Sequence, residues 1–472
     1  MSAPRSTSSR LASLIQHLAL ALILMAVFLH GIIGPLPADN LRMQIVLGVA
    51  ALAWLVACSL GLRGYGSGRM VVAGAISLQL LALVGEPSLS DDIYRYVWEG
   101  RLVSEGTSPY AHAPDSEALA GARRAFPALY ARVNHPEVSA AYPPLTQYAF
   151  AGLVKVAEWL PGYSYRGGLG AVFVMRVFFA LCAVLVLVPL FSLLDRAGKP
   201  RSAAVAWAWS PLVALEFAGS GHFDSFGILL LFAGLALWTR PRHERSHVDD
   251  GVAIFALSAA ALVKIFPGVA VLFALRERPR AKLFAWALFG LTLSVLLVLA
   301  FRERTAGIFA GLSTYGRTWE GGSLVHRWLD FGLRAFKLPF HLNPQLVGRA
   351  VLGLVWLVCL LVAWRKRLGP VRASGFLIAA FLLLSPTLHP WYVTWVMPFL
   401  ALRPSWAFRF LVVLAPLLYW PLAGWQSEGV WEEPVWLAPT LSGVVLGLLV
   451  LENLVASARN RTIDAPLAVE PA

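Results

Sequence analysis

Long apolar runs with no charge in them constrain this chain more than any other feature. Residues 11–35 (LASLIQHLALALILMAVFLHGIIGP) contain no Asp, Glu, Lys or Arg, and a helix of about 20 such residues is enough to cross the hydrocarbon core of a bilayer. Only a helix or a closed barrel satisfies its own backbone there. A barrel strand alternates with a period of two, and these runs do not alternate, so the expected fold is an all-α polytopic membrane protein. The composition agrees: 14% of the residues are charged, against about a quarter in soluble domains. The first run exceeds the ~7–15-residue core of a cleaved signal peptide and no small-x-small site follows it, so it reads as a retained helix.

The net charge is +13. Because the Lys and Arg sit mostly in short loops between apolar runs, this charge is a topology signal and does not point to nucleic acid as a partner. Arg5 and Arg10, Arg63 to Arg69, DRAGKPR (195–201), TRPRHERSH (239–247), RERPRAK (276–282), WRKRLGPVR (364–372) and the tail with Arg459 and Arg461 all fall on the inner side if both termini are cytoplasmic. That arrangement predicts about 12–14 spans, among them 168–194, 202–219, 222–239, 346–365 and 434–454, with the pieces at 250–276 and 373–403 too short for ordinary spans. The chain then divides into N-terminal helices (1–68), a transmembrane core (69–460) and a cytoplasmic tail (461–472). Cys58, Cys182 and Cys359 lie within apolar runs, which argues against a disulfide framework or a cysteine metal site.

Two long segments, 88–167 and 302–345, fall on the outer side. Within the first, 145–160 follows Pro143-Pro144 and carries Lys155 and Glu158, which suits an interfacial or re-entrant helix. The second is basic for an outer loop, with Arg302, Arg304, Arg317, Arg327, Arg334 and Lys337, cations suited to an anionic ligand. Its piece 323–337 places Leu324, Val325, Trp328, Leu329, Leu333 and Phe336 on one helical face, as a helix lying on a membrane surface would.

The densest chemical signal is SDDIYRYVWEGR (90–101), where a span exits to the outer side. Ser88 and Ser90 can cap the next helix, and the two Asp complement its positive end. A catalytic reading needs a free carboxylate. Asp91, Arg95 and Glu99 form an i, i+4 ladder that can neutralise itself, whereas Asp92 has Tyr96 at i+4 and is less committed. As a general base such a carboxylate contributes about 10²–10⁴ in rate. Ionisable residues inside predicted spans are functional candidates by default: Arg176, Glu216, Asp224 and Lys264. Lys264 precedes Pro267 between two short apolar pieces, and broken helices at depth line cavities, where a cation suits a phosphate. His222 and Asp224 in GSGHFD (219–224) and His389 in His389-Pro390-Trp391-Tyr392 lie at outer junctions. Tyr94, Trp98, Tyr110, Trp319 and Trp391 suit either sugar faces or anchoring at the interface.

Taken in order, these pieces resemble a known group. SDDIYRYVWEGR, Gly106-Thr107-Ser108-Pro109-Tyr110, Tyr142-Pro143-Pro144-Leu145, Met175-Arg176, GHFD, the Lys264–Pro267 piece and His389-Pro390-Trp391-Tyr392 are similar to the C-superfamily of integral membrane glycosyltransferases. The chain is most similar to bacterial polyprenol-phosphate-mannose-dependent mannosyltransferases, over about 85–460 and without the N-terminal pair of helices. Ser108 departs from relatives that often carry Asn there. The resemblance implies a polyprenyl-phosphate sugar donor, with mannose favoured, a glycan or lipid acceptor, and transfer with inversion. It also implies no metal or other cofactor. The base maps onto Asp91 or Asp92, the donor phosphate onto Lys264, His222, His389 and Arg176. Further substrate contacts are expected from Tyr94, Arg95, Trp98, Glu99, Arg101, Tyr110, Tyr142, Asp224, Trp391 and Tyr392. The setting it implies is a bacterial inner membrane with a periplasmic site.

Two rival readings stand beside this one, the first from another class. A transporter or flippase of a lipid-linked sugar also uses broken helices and intramembrane charges, but this chain shows no repeat pairing two halves. A polymerase or ligase using a diphosphate-linked donor shares most of the same physics.

Overall fold

The computed structural model of the chain describes residues 7–33, 40–160, 169–244, 246–278, 281–299, 309–336 and 343–463. Arg302, Arg304 and Lys337 of the expected basic loop lie outside these residues. Among the described residues every regular element is helical; the only strand-like pairing is a bridge from Gly321 and Gly322 to Thr387.

Among the described residues six helices are long and apolar enough to cross a membrane: Ser8–Ile32, Asn40–Leu62, Gly170–Arg196, Pro344–Arg365, Trp406–Trp425 and Leu437–Ser457. The pair Pro211–Gly219 and Asp224–Trp238 is apolar enough together but bent by 117°, the shape of a broken span or a re-entrant loop. Three shorter apolar helices, Gly68–Ala82, Lys282–Leu297 and Pro370–Leu384, accompany them. The chain is an integral membrane protein, and where further spans were expected it has shorter helices and broken pieces. The stretch 202–219, expected as one span, consists of a 3-10 turn (Arg201–Ala204), two single-turn helices (Val205–Ala208 and Pro211–Ala214) and a π-helical turn (Leu215–Gly219). Pro211 has no N–H to continue a helix from above it, and it starts a new one instead. In the same way 391–403 divides into Pro390–Val393 and Met397–Leu402.

The helices that position the site are α1 (Thr7–Ile33), α2 (Asn40–Leu62), α3 (Gly68–Ala82), α4 (Asp92–Ser104), α5 (Pro144–Glu158), α6 (Gly170–Leu185), α7 (Asp224–Trp238), α8 (His247–Val263), α9 (Ala310–Thr318) and α10 (Pro370–Leu384). The outer surface of α1 exposes Leu14, Leu18, Leu22 and Met25, while Ile23 and Val27 face the protein. An apolar rim around an apolar core is what a bilayer solvent permits. The interior carries five tryptophans with no accessible surface, Trp54, Trp207, Trp209, Trp238 and Trp395. α2 joins this core directly: Gln44 donates to the Pro416 carbonyl (2.9 Å) and Asn40 to that of Trp420 (2.8 Å).

α5 rises about 22 Å at 1.5 Å per residue, short of the ~30 Å hydrocarbon core. It packs along α4. Phe150 stacks on Tyr96 with centroids 4.7 Å apart, Gln147 donates to Glu99 (2.6 Å) and Arg101 to Glu158 (2.8 Å). Gly100 permits the contact, since a Cβ there would lie 2.7 Å from the Phe150 carbonyl carbon. The first turn of α5 also reaches α8, where the Thr146 hydroxyl donates to the Val263 carbonyl (2.9 Å) at that helix's end. On the amphipathic piece, helix His326–Ala335, Trp328 donates to Ser442 (3.1 Å) while Phe331 and Phe336 point outward.

Candidate active site

A cavity of about 420 Å³ opens where α4 begins. Both acids of the first motif line it, with Tyr142, Tyr315, Trp319, His389, Trp391, Tyr392, Tyr419 and Trp425. Asp91 is the N-cap of α4 and Asp92 its first residue. Ser90 stands one residue before the N-cap and accepts from the Asp92 amide (3.2 Å), a local turn and not the expected cap, and Ser88 meets His30 (3.1 Å).

The expected ladder forms only in its second half. Arg95 donates through Nε to Glu99 (2.8 Å), and its other nitrogens donate to the carbonyls of Asn134 (3.2 Å), His135 (2.9 Å) and Val138 (2.5 Å). Asp91 is left out of the ladder and accepts from the Asn134 amide at 2.7 Å, as does Asp92, also at 2.7 Å. Tyr96 donates to the other oxygen of Asp92 (3.3 Å), the i+4 partner expected from the sequence. Burial first, and the neighbouring Asp91 charge second, push the Asp92 carboxyl up to about 6. It is ionised at neutral pH yet basic enough to accept a proton.

Three rings are stacked from the cavity wall inward: Trp391 lies 3.9 Å from His222 and 4.3 Å from His389. His389 lines the cavity, and burial pushes its imidazole down to about 3, so it enters as a neutral hydrogen-bonding group. His222 is fully buried behind Trp391. Lys264 pairs with Asp224 at 2.5 Å, and Trp395 donates to the same oxygen, also at 2.5 Å. The ammonium sits 4.2 Å from the Tyr392 ring centroid, one side chain behind the cavity wall. Tyr392 in turn meets the Tyr315 hydroxyl at 2.7 Å. Tyr419 donates to the buried Glu216 of the π-helical turn.

Other sequence candidates lie away from this cavity. Arg176 donates to the Ala218 (2.6 Å) and Ala82 (2.9 Å) carbonyls and joins the bent span to the end of α3. Trp98 packs on Tyr130, and Glu99 is held between Arg95 and Gln147. Arg101 binds Glu158 and lies over the Phe126 ring, and Tyr110 donates to the Tyr142 carbonyl (2.7 Å). Trp98, Glu99, Arg101 and Tyr110 fix the packing of α4 and its surrounding loops, and of the motif at 90–101 Ser90, the two acids and Arg95 line the cavity. Tyr94, which accepts from Arg132 (2.7 Å), lines a second, more open cavity with Glu86, Asp91, Asn134, His135, Glu137 and Trp425. The two cavities meet at Asp91, Asn134, His135 and Trp425. Asn134, Tyr315, Tyr419 and Trp425 were missed from sequence because each arrives from a distant segment and sits in no charged or periodic pattern. Among the described residues no group of three or more His, Cys, Asp or Glu is placed to hold a metal ion.

Residues 36–276 match the family model described as alpha-(1->6)-mannopyranosyltransferase, N-terminal domain, and residues 331–429 match the MptB C-terminal domain. The chain belongs to this family. It is a membrane glycosyltransferase of the mannosyltransferase type. The family match begins at residue 36, so it takes in α2, which the motif resemblance had left outside. The chain is 24% identical over 432 residues to alpha-(1->6)-mannopyranosyltransferase B of Corynebacterium glutamicum, covering 81% of this chain and 68% of that protein. It is 24% identical over 408 residues to alpha-(1->6)-mannopyranosyltransferase A of Mycobacterium tuberculosis, covering 78% of this chain and 71% of that protein. No solved structure gives a significant match.

Proposed function

We propose that this enzyme transfers mannose from a polyprenyl-phosphate donor to a hydroxyl of a glycan acceptor, with inversion, at the outer face of the membrane. The observation that supports the reading is the Asp91–Asp92 pair: both acids line one cavity, and Asp91 also borders a second, unlike cavity that joins it. The enclosed one is lined by Leu89, Leu388, Leu418, Leu422 and a set of tryptophans, and suits a sugar carried on a lipid. The open one is lined by Glu86, Tyr94, Arg132 and Glu137, hydrogen-bonding groups that suit a hydroxyl-rich chain. The names of the two relatives favour an α(1→6) linkage, which makes a primary hydroxyl the nucleophile.

In this reading Asp92 takes the proton of the acceptor hydroxyl as its oxygen attacks the anomeric carbon. The bond from that carbon to the phosphate oxygen breaks, and polyprenyl phosphate leaves with the electron pair. A β-linked donor thereby gives an α product. Leaving-group charge is stabilised by groups fixed before the reaction: the neutral His389 and, through the Tyr392 wall, the Lys264 ammonium. Asp91 and Arg95 hold the base side, and Trp391, Tyr392 and Tyr142 shape the pocket.

The test is mannosyl transfer in membranes carrying wild type, Asp92→Asn or Asp91→Asn, with labelled polyprenyl-phosphate mannose and a mannan acceptor. Loss of a base is expected to reduce the rate by about 10²–10⁴ in Asp92→Asn, with a smaller loss in Asp91→Asn. Transfer by Asp92→Asn at the wild-type rate would overturn the assignment. Transport of the donor without transfer by the wild type would overturn the whole reading.

A further inference from the structure

Asn134 is 42 residues from Asp92 in sequence, yet its single side-chain nitrogen meets both acids. Nδ2 carries two hydrogens; one points to Asp91 Oδ1 and one to Asp92 Oδ1, each at 2.7 Å. The amide must present its nitrogen here, because its carbonyl would face two carboxylates. The loop behind it is held from three sides. Arg95 donates to the Asn134, His135 and Val138 carbonyls, while its charge is matched by Glu99, which Gln147 anchors in turn (2.6 Å). His135 adopts φ +44°, a left-handed conformation uncommon for a residue with a side chain. Its ring is clamped between Trp319 (4.6 Å) and Trp425 (5.7 Å). An uncommon backbone geometry persists where its surroundings over-determine it, and here those surroundings aim one amide at two acids.

We infer that Asn134 is the positioning residue of the base: its amide holds the two adjacent carboxylates in one geometry and keeps Asp92 available to accept a proton near neutral pH. The inference rests on the proposed role of Asp92. Two carboxylates on consecutive residues repel, and a donor shared between them offsets the repulsion only while both are ionised. Without it, Asp92 keeps only the Tyr96 hydroxyl as a side-chain donor and binds its proton more tightly. Asp92 is faced by Asp91, Arg95 and Tyr96 on its own helix, by Asn134, by Tyr142 before α5, by Tyr315 on α9, and by Glu216 and Lys264 in the broken spans. Neither Lys264 nor Arg95 can take over the amide's place, since each is committed to a carboxylate of its own.

The experiment compares wild type with Asn134→Ala and Asn134→Ser in the full-length protein, with two readouts. The first is the pH profile of kcat/KM for mannosyl transfer. The second is independent of turnover: the infrared band of a protonated carboxyl that disappears in Asp92→Asn, followed against pH. A hydrogen bond to a charged group is worth about one pH unit or somewhat more in the acceptor's proton affinity. In Asn134→Ala the acid limb and the infrared midpoint are both expected to move up by about one unit from about 6, so that at pH 6 the rate falls roughly 5-fold and at pH 8 nearly all of it returns. Asn134→Ser, which keeps one small donor, should lie between, and serves alone if the alanine variant does not fold. An unshifted midpoint with a uniform loss of rate at every pH would reduce Asn134 to a structural residue and overturn the inference. If Asp92→Asn retains transfer, the proposed base is at fault, and the infrared midpoint still decides whether Asn134 governs the Asp92 proton.

Discussion

Lys264 and Asp224 supply the sharpest test of what the broken spans do. Asp224 has no accessible surface and the Lys264 side chain is 13% exposed, with 2.5 Å between their charged atoms. Trp395 donates to the oxygen that Lys264 binds, and among the described residues the other carboxylate oxygen has no hydrogen-bond partner. Lys264→Met therefore leaves an anion buried with one indole donor. Removing one partner of a buried pair costs about 3–5 kcal/mol. Asp224→Asn costs less, about 2 kcal/mol, because the amide oxygen still accepts from Trp395 and the ammonium keeps its place over the Tyr392 ring, 4.2 Å away. In the double variant no charge is stranded, so a coupling of about 2–3 kcal/mol is expected, the upper part of the range for residues in contact. The assay is equilibrium unfolding in mixed detergent micelles, with transfer measured on the same four proteins. If the ammonium also stabilises the leaving phosphate, the double variant is about as stable as Lys264→Met but stays at least about 10²-fold slower than wild type. If Lys264 merely satisfies Asp224, the double variant has the same stability and transfers at close to the wild-type rate. Single variants within about 0.5 kcal/mol of wild type, or losses that simply add, would refute the reasoning that this pair is buried and mutually dependent.

Two further outcomes follow from close contacts. Gly221 lies in the bend of the broken span at φ +80°, and a Cβ there would fall 2.1 Å from Ile93 Cδ1 and 3.1 Å from Arg176 Cγ. Gly221→Ala should cost about 2–4 kcal/mol, from the left-handed backbone and from overpacking together, and displace α4 with Asp92; an unchanged melting temperature in detergent would count against this. Trp425 borders both cavities and stacks on His135. Trp425→Ala should raise KM for the glycan acceptor roughly 10-fold, the scale of one lost aromatic contact, and a change in donor KM alone would reverse the assignment of the two cavities.

What the sequence determined by itself was everything set by local pattern. Charge-free runs dictated membrane helices, because no other element satisfies its backbone in hydrocarbon. The order of short motifs carried the family, and Asp92 with its i+4 Tyr96 was legible because helical periodicity fixes that pair. The same periodicity misled for Asp91, whose expected partner Arg95 was drawn instead to three carbonyls of a loop about 40 residues away. Lys264 was readable as a cation at a helix break, but not its pairing with Asp224 across 40 residues or its place behind Tyr392. Arg176 was readable as a costly intramembrane charge, and only the packing of α6 against the bent span showed that carbonyls satisfy it. Asn134 carries no charge and sits in no repeating pattern, so nothing local distinguished it. Its importance arises where a loop folds back onto the start of α4, because hydrogen bonds between distant segments depend on tertiary packing and leave no periodic trace in the chain.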